Sequence, residues 1–115
     1  METADPVLDT VQLRDVTMND EQLMREVISA LVDDTVRQVP LLESAIQERD
    51  AQKCMRLAHY SKGACANVGA SRAAGLFKHI ETKAAGGEFV ACTESLAALA
   101  RELDLLRSAS VSFQQ

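Results

Sequence analysis

Apolar positions recur along the chain with helical spacing, in four long stretches separated by short stop signals. Between residues 51 and 68, Cys54, Leu57, Ala58, Ser61, Ala64, Cys65 and Val68 gather in one arc when residues are plotted at about 100° each. Upstream, Leu23, Val27, Ala30, Leu31, Asp34, Gln38, Leu41, Leu42, Ala45 and Ile46 form a stripe that polar residues interrupt at 33–38. Thr17–Asp20 is a start signal for that helix, with Asn19 or Asp20 as N-cap and Glu21 in the first turn. Pro40 removes one helical hydrogen bond, and since the apolar period continues beyond it, a kinked helix running to about Glu48 is expected. Asp50 is the expected N-cap of a helix over Ala51–Asn67, which Gly69 closes. Ser71 is expected to cap a third long helix, with Ala73, Ala74, Leu76, Phe77, Ile80 and Ala84 inward and Gly86-Gly87 at its end. The last runs from about Glu88 to Ser108, with Phe89, Cys92, Leu96, Leu99, Leu103 and Leu106 inward. Ahead of these, Val7, Leu8, Val11, Leu13 and Val16 suggest a short helix or an irregular arm, with Pro6 in its first turn. Residues 1–6 and 110–115 are expected to fray. The pattern predicts one domain over residues 1–115: an all-α, antiparallel four-helix bundle with a short extra N-terminal helix.

Composition narrows the function classes. Aromatic residues are 3% of the chain and Trp is absent, so the core must come from aliphatic residues, Ala and Met, which favours close helix packing. A formal net charge of −5 argues against nucleic acid or an anionic membrane as partner. No apolar run approaches the ~18 residues of a membrane span. The acidic start Met-Glu-Thr-Ala-Asp-Pro does not read as a signal peptide. Cys54 and Cys65 lie on one inward arc, about 16 Å apart at 1.5 Å per residue, and cannot pair. With three Cys used as small apolar side chains, a reducing, cytoplasmic setting is expected. The Cys and His residues lack metal-ligand spacing, and no Gly-rich nucleotide loop follows a strand. No metal, no cofactor of its own and no autonomous kinase activity are therefore expected.

What remains is the outward face of the helix over 51–67. His59 and Gly63 fall roughly 160° from the centre of the apolar arc, Arg56 roughly 140° and Lys62 roughly 100° on the other side. Residues three and four apart are neighbours on a helix, so a Gly and a Lys flank the exposed His. A mid-helix Gly costs about 1 kcal/mol relative to Ala, and the compensation on a solvent face is room for another surface to come close. If the helices over 20–48 and 51–67 turn back at residues 49–50, position 40 lies level with His59 and position 37 with Lys62. Arg37 or Gln38 then borders the His, and the Gln38 amide can hydrogen-bond the ring. Arg56 shares the His face and meets an acidic rim of a partner, or pairs with Asp50 or Glu48. His79 falls at the edge of an apolar arc without a matching Gly or cation and reads as a boundary residue.

The stretch Ala58-His59-Tyr60-Ser61-Lys62-Gly63-Ala64, followed by Asn67-Val68-Gly69-Ala70, resembles the histidine phosphotransfer domain of phosphorelays. Ala58, His59, Lys62, Gly63, Gly69 and Ala70 match its helix motif at the right spacing. Ser61 stands where the family usually has Leu, on the core face, and Ala64 where Ser is common. The resemblance implies that His59 takes a phosphoryl group on Nε2 from an aspartyl phosphate of a receiver domain and passes it to another receiver. Lys62 would stabilise the phosphate charge, and Gly63, Arg56, Tyr60 and Asn67 would form the docking surface. The implied partners are receiver domains of response regulators or of a hybrid sensor histidine kinase, which bring the Mg²⁺. Imidazole, with a reference pKa of about 6.5, is a competent nucleophile at pH 7. The expected form is a monomeric phosphocarrier, not an enzyme in its own right. The alternative is a non-phosphorylated helical adaptor that docks a receiver or kinase. It gains weight only if His59 is buried or blocked.

Overall fold

Asp9 Oδ1 accepts the Gln12 N–H at 3.1 Å and starts a short helix, α1 (Thr10–Val16). The structure, a computed structural model, describes residues 6–111, and of Val111 only the backbone. Of the two sequence alternatives for this segment the helix is found, but Pro6 lies before its cap and not in its first turn. The expected fraying of residues 1–5 and 112–115 lies outside the described residues. Asp20 caps α2 (Glu21–Gln47) by accepting the Leu23 N–H at 3.0 Å, and Asp50 caps α3 (Ala51–Asn67) through the Lys53 N–H at 3.1 Å. Then follow α4 (Ser71–Ala85) and α5 (Phe89–Val111). Each long helix packs on its neighbours in sequence, and α5 returns against α2 to close the ring. Turns of three residues at 48–50, 68–70 and 86–88 force the alternating directions of an up-and-down bundle.

The turns share one chemistry. After α2, α3 and α4 the chain enters the left-handed region at Arg49, Gly69 and Gly87, and the next N–H bonds back five residues into the helix. Asp50 N–H donates to Ala45 O, Ala70 N–H to Cys65 O and Glu88 N–H to Lys83 O, each at 2.9 Å. This closure corrects the expected cap of α4. Ala70, buried and tied to α3, occupies the cap position without a side-chain hydrogen bond, and Ser71 is already helical. The last helix also outruns its expected end at Ser108 by almost a turn, taking in Ser110.

Pro40 sits inside α2, which continues through it. Pro40 and Val36 are both exposed, so the carbonyl that Pro40 leaves without a donor faces the solvent side. Upstream of Pro40 the buried row is Met24, Ile28, Leu31, Val32 and Thr35, one residue later than the stripe read from the sequence. Leu23, Ala30 and Leu41 are exposed. A shift of one residue turns a helix by about 100°, and both rows carry enough apolar residues to mislead. Thr35 is buried because its hydroxyl donates to Leu31 O at 2.7 Å, which leaves no unmet polar group. On α3, Cys54, Ala58, Ser61 and Cys65 are buried, with Leu57, Ala64 and Val68 half-buried, as the arc predicts. Thr35 neighbours Cys65, within a residue of the hairpin register the sequence predicts, and burial pushes the Cys65 thiol up to about 11. The three Cys are free and buried.

Ser61 is 2% exposed and its Oγ has no hydrogen-bond partner among the described residues. A buried unsatisfied hydroxyl costs roughly 1–3 kcal/mol. Ser61→Ala is therefore expected to stabilise the fold by about 1 kcal/mol, read as a higher urea midpoint with an unchanged slope. A lower midpoint would show that the hydroxyl is satisfied in solution.

Candidate functional site

Helix α3 carries Lys53, Arg56 and Lys62 and no acidic residue, in a chain of formal charge −5. His59 stands midway along it with its side chain 68% exposed, because the buried row runs through Ala58 and Ser61 on the opposite side. Gly63 is exposed one turn later, and a Cβ there would meet nothing within 4 Å. The fold thus does not require this glycine. Gly63→Ala should raise stability by about 1 kcal/mol, read as a higher urea midpoint with an unchanged slope.

The side chain that holds His59 comes from α4. His59 Nδ1 lies 3.1 Å from Glu81 Oε2, and Lys62 Nζ donates to Glu81 Oε1 at 3.0 Å. Glu81 is the sole acid of α4. Its carboxyl is held below the ordinary range first by the hydrogen bond from Lys62, with the charges of Lys62 and His59 acting in the same direction against partial burial. An ionised carboxylate only accepts. The proton of the neutral imidazole therefore sits on Nδ1 and is donated to Glu81, which leaves the Nε2 lone pair free.

Sequence reasoning missed Glu81. Its signal lies in the next turn, whose register can be reflected as at residues 49–50. Reflecting positions about Gly69 puts residue 79 level with His59, and Glu81 is the nearest acid. Gln38 is half-buried on α2, and its side chain makes no hydrogen bond among the described residues. Arg56 and Tyr60 are exposed, and with Gln52, Met55, His59 and Glu81 they line an open hollow of about 440 Å³. Asn67 is exposed at the C-terminal end of α3. His79 is exposed on α4, and its Nδ1 meets Ser95 Oγ of α5 at 2.6 Å, a boundary position as read from the sequence. No group of metal-ligating side chains occurs among the described residues.

The family model described as Hpt domain matches residues 26–109, most of the bundle. The chain belongs to the Hpt domain family. Among solved structures, it is similar to histidine-containing phosphotransfer protein B (HptB) from Pseudomonas aeruginosa PAO1, with 28% identity over 95% of each chain and a TM-score of 0.84. Among curated proteins none matches the chain by sequence. As a member of this family the domain is a phosphorelay carrier. No helix of the described part of this Hpt domain is long and apolar enough to cross a membrane.

Proposed function

We propose that His59 is the phosphoryl acceptor and donor of this Hpt domain, exchanging phosphate with aspartates of receiver domains. The observation that carries the reading is the division of labour on the ring: Nδ1 is occupied by Glu81 and Nε2 is free on a side chain 68% exposed. The adaptor alternative requires a blocked His59, and this exposure weighs against it.

In the forward step, Nε2 attacks the phosphorus of the receiver's aspartyl phosphate. The Nε2–P bond forms, the P–O bond to the aspartate breaks, and the carboxylate leaves with the electron pair. The imidazole keeps its Nδ1 proton throughout, and the positive charge it gains lies against the Glu81 carboxylate 3.1 Å away. The second transfer is the reverse, with a different receiver aspartate as acceptor. Lys62, on the next turn, is the local cation for the transferring group. It is drawn toward Glu81 at rest and needs only a side-chain rotation to reach a phosphoryl on Nε2.

The absence of any acid from α3 suits a partner whose own site is a cluster of carboxylates, such as a receiver that holds Mg²⁺. Gly63 gives the approach, and Arg56, Tyr60 and Asn67 border it. A Gln38 hydrogen bond to the ring or its phosphate, from α2, belongs to the same proposal. On this reading the domain spans residues 1–115 and works as a cytoplasmic monomer with its α3 face open. The test is incubation with a panel of phosphorylated receiver domains in Mg²⁺. The expected product is a phosphoprotein that is acid-labile and comparatively base-stable, as a phosphoimidazole must be. Absence of label from every receiver would favour the adaptor.

A further inference from the structure

Glu102 of α5 is 4% exposed, and a carboxylate so far from water needs donors for both of its oxygens. Arg72 of α4 supplies one of them, its Nη2 lying 3.0 Å from Glu102 Oε1. Glu102 Oε2, itself buried, has no partner among the described residues. Well-packed apolar residues in place of such a pair often join two helices as firmly, without drying two charges. Joining α4 to α5 is therefore not a sufficient reason for a half-satisfied ion pair. Gly75 is a second feature that packing does not explain. It is exposed inside α4, three residues after Arg72, and a Cβ there would meet nothing within 4 Å. A glycine inside a helix weakens it, and here no close contact compensates.

Both features border one hollow of about 540 Å³ between α4 and α5, within the range of small-molecule sites. The missing side chain of Gly75 keeps it open. Half-buried Leu76 and Ala98 and exposed Leu105 give it an apolar wall. Arg101 also lines it, exposed and unpaired among the described residues. The hollow thus combines an acceptor without a donor, a cation without an anion, and an apolar surface. It shares no residue with the hollow beside His59.

We propose that the α4–α5 hollow binds a small zwitterion of the α-amino-acid class with an aliphatic side chain. The ligand's ammonium donates to Glu102 Oε2, its carboxylate pairs with Arg101, and its side chain lies against Leu76, Ala98 and Leu105. Glu102 presents Oε2 by a turn about its last torsion, which is soft. Arg72 stays with the carboxylate and fixes it. A ligand with a cation alone leaves Arg101 unmatched. One with an anion alone gives Oε2 no donor and meets the charge of Glu102. Since Arg101 and Glu102 are neighbours in sequence and line the same hollow, the two ligand charges need be only a few bonds apart.

The test is a titration of the isotopically labelled protein with L-leucine, followed by NMR through the amide signals of residues 71–76 and 98–105. Isocaproate and L-leucinamide serve as probes that carry one of the two charges each. Saturable shifts of those amides are expected with L-leucine. Each single-charge probe should bind at least about tenfold more weakly, the loss of one charge-assisted hydrogen bond. Arg101→Ala, a change at an exposed side chain, should weaken L-leucine about tenfold and leave L-leucinamide unchanged. Glu102→Gln should weaken L-leucine and leave isocaproate no weaker. Gly75→Phe fills the hollow and should abolish the shifts while the helix content is kept. The Arg101 and Gly75 variants decide the matter if Glu102→Gln does not fold. Absence of saturable shifts with L-leucine overturns the proposal, as do shifts that survive unchanged in both Arg101→Ala and Gly75→Phe. Isocaproate binding as tightly as L-leucine would make this an anion site and overturn the assignment of a zwitterion.

Discussion

His59→Gln abolishes phosphate transfer from every receiver domain while leaving the helix content unchanged. The side chain is 68% exposed and its one polar partner among the described residues is Glu81, so removing the ring costs little packing. Gln offers no nucleophilic lone pair in its place, and the loss should reach the detection limit of labelling. His79→Gln should label like the wild type, because His79 Nδ1 is engaged by Ser95 on the α4–α5 side of the bundle. Full labelling of His59→Gln would move the phosphate to another residue and end the account of the α3 face.

Glu81→Ala lowers the transfer rate about tenfold or more without abolishing it. Without the carboxylate the ring can turn, and its proton is no longer confined to Nδ1, so the Nε2 lone pair is presented only part of the time. Glu81→Gln should lose less, since an amide oxygen still accepts from Nδ1 but no longer offsets the charge on the phosphorylated ring. The pH dependence separates the roles. The Glu81 carboxyl is held low, so its contribution is present above the ordinary carboxylate range and is lost only as pH falls through that lowered value. A loss of transfer as pH falls through that lowered value should be absent from Glu81→Gln, which has no carboxyl there to protonate. Wild-type rates in Glu81→Ala would show that the Nδ1 contact is incidental.

Four long helices, the cap at Asp50, the start signal that left Asn19 or Asp20 as the first cap, and the breaks at Gly69 and Gly86-Gly87 were legible because caps and stops act locally. The face of α3 was legible because its apolar arc is narrow and Gly63 on the far side has no packing role. The buried row of α2 was not, since two adjacent rows are apolar and only packing against α3 and α5 chooses between them. The cap of α4 was misread because Ser71 is a good capping residue by type, whereas the closure of α3 fixes Ala70 in that position. Glu81 escaped for a different reason: its role depends on the height at which α4 passes His59, a property of the turn and not of the residues around it.

The most direct measurement of the central claim is nitrogen–phosphorus NMR on protein with ¹⁵N-labelled imidazoles, after transfer from a phosphorylated receiver. The account predicts one phosphorus signal coupled to Nε2 of His59, with the Nδ1 proton retained and protected from exchange by Glu81. Coupling to Nδ1 of His59, coupling to either nitrogen of His79, or a phosphorus signal without coupling to an imidazole nitrogen would contradict it.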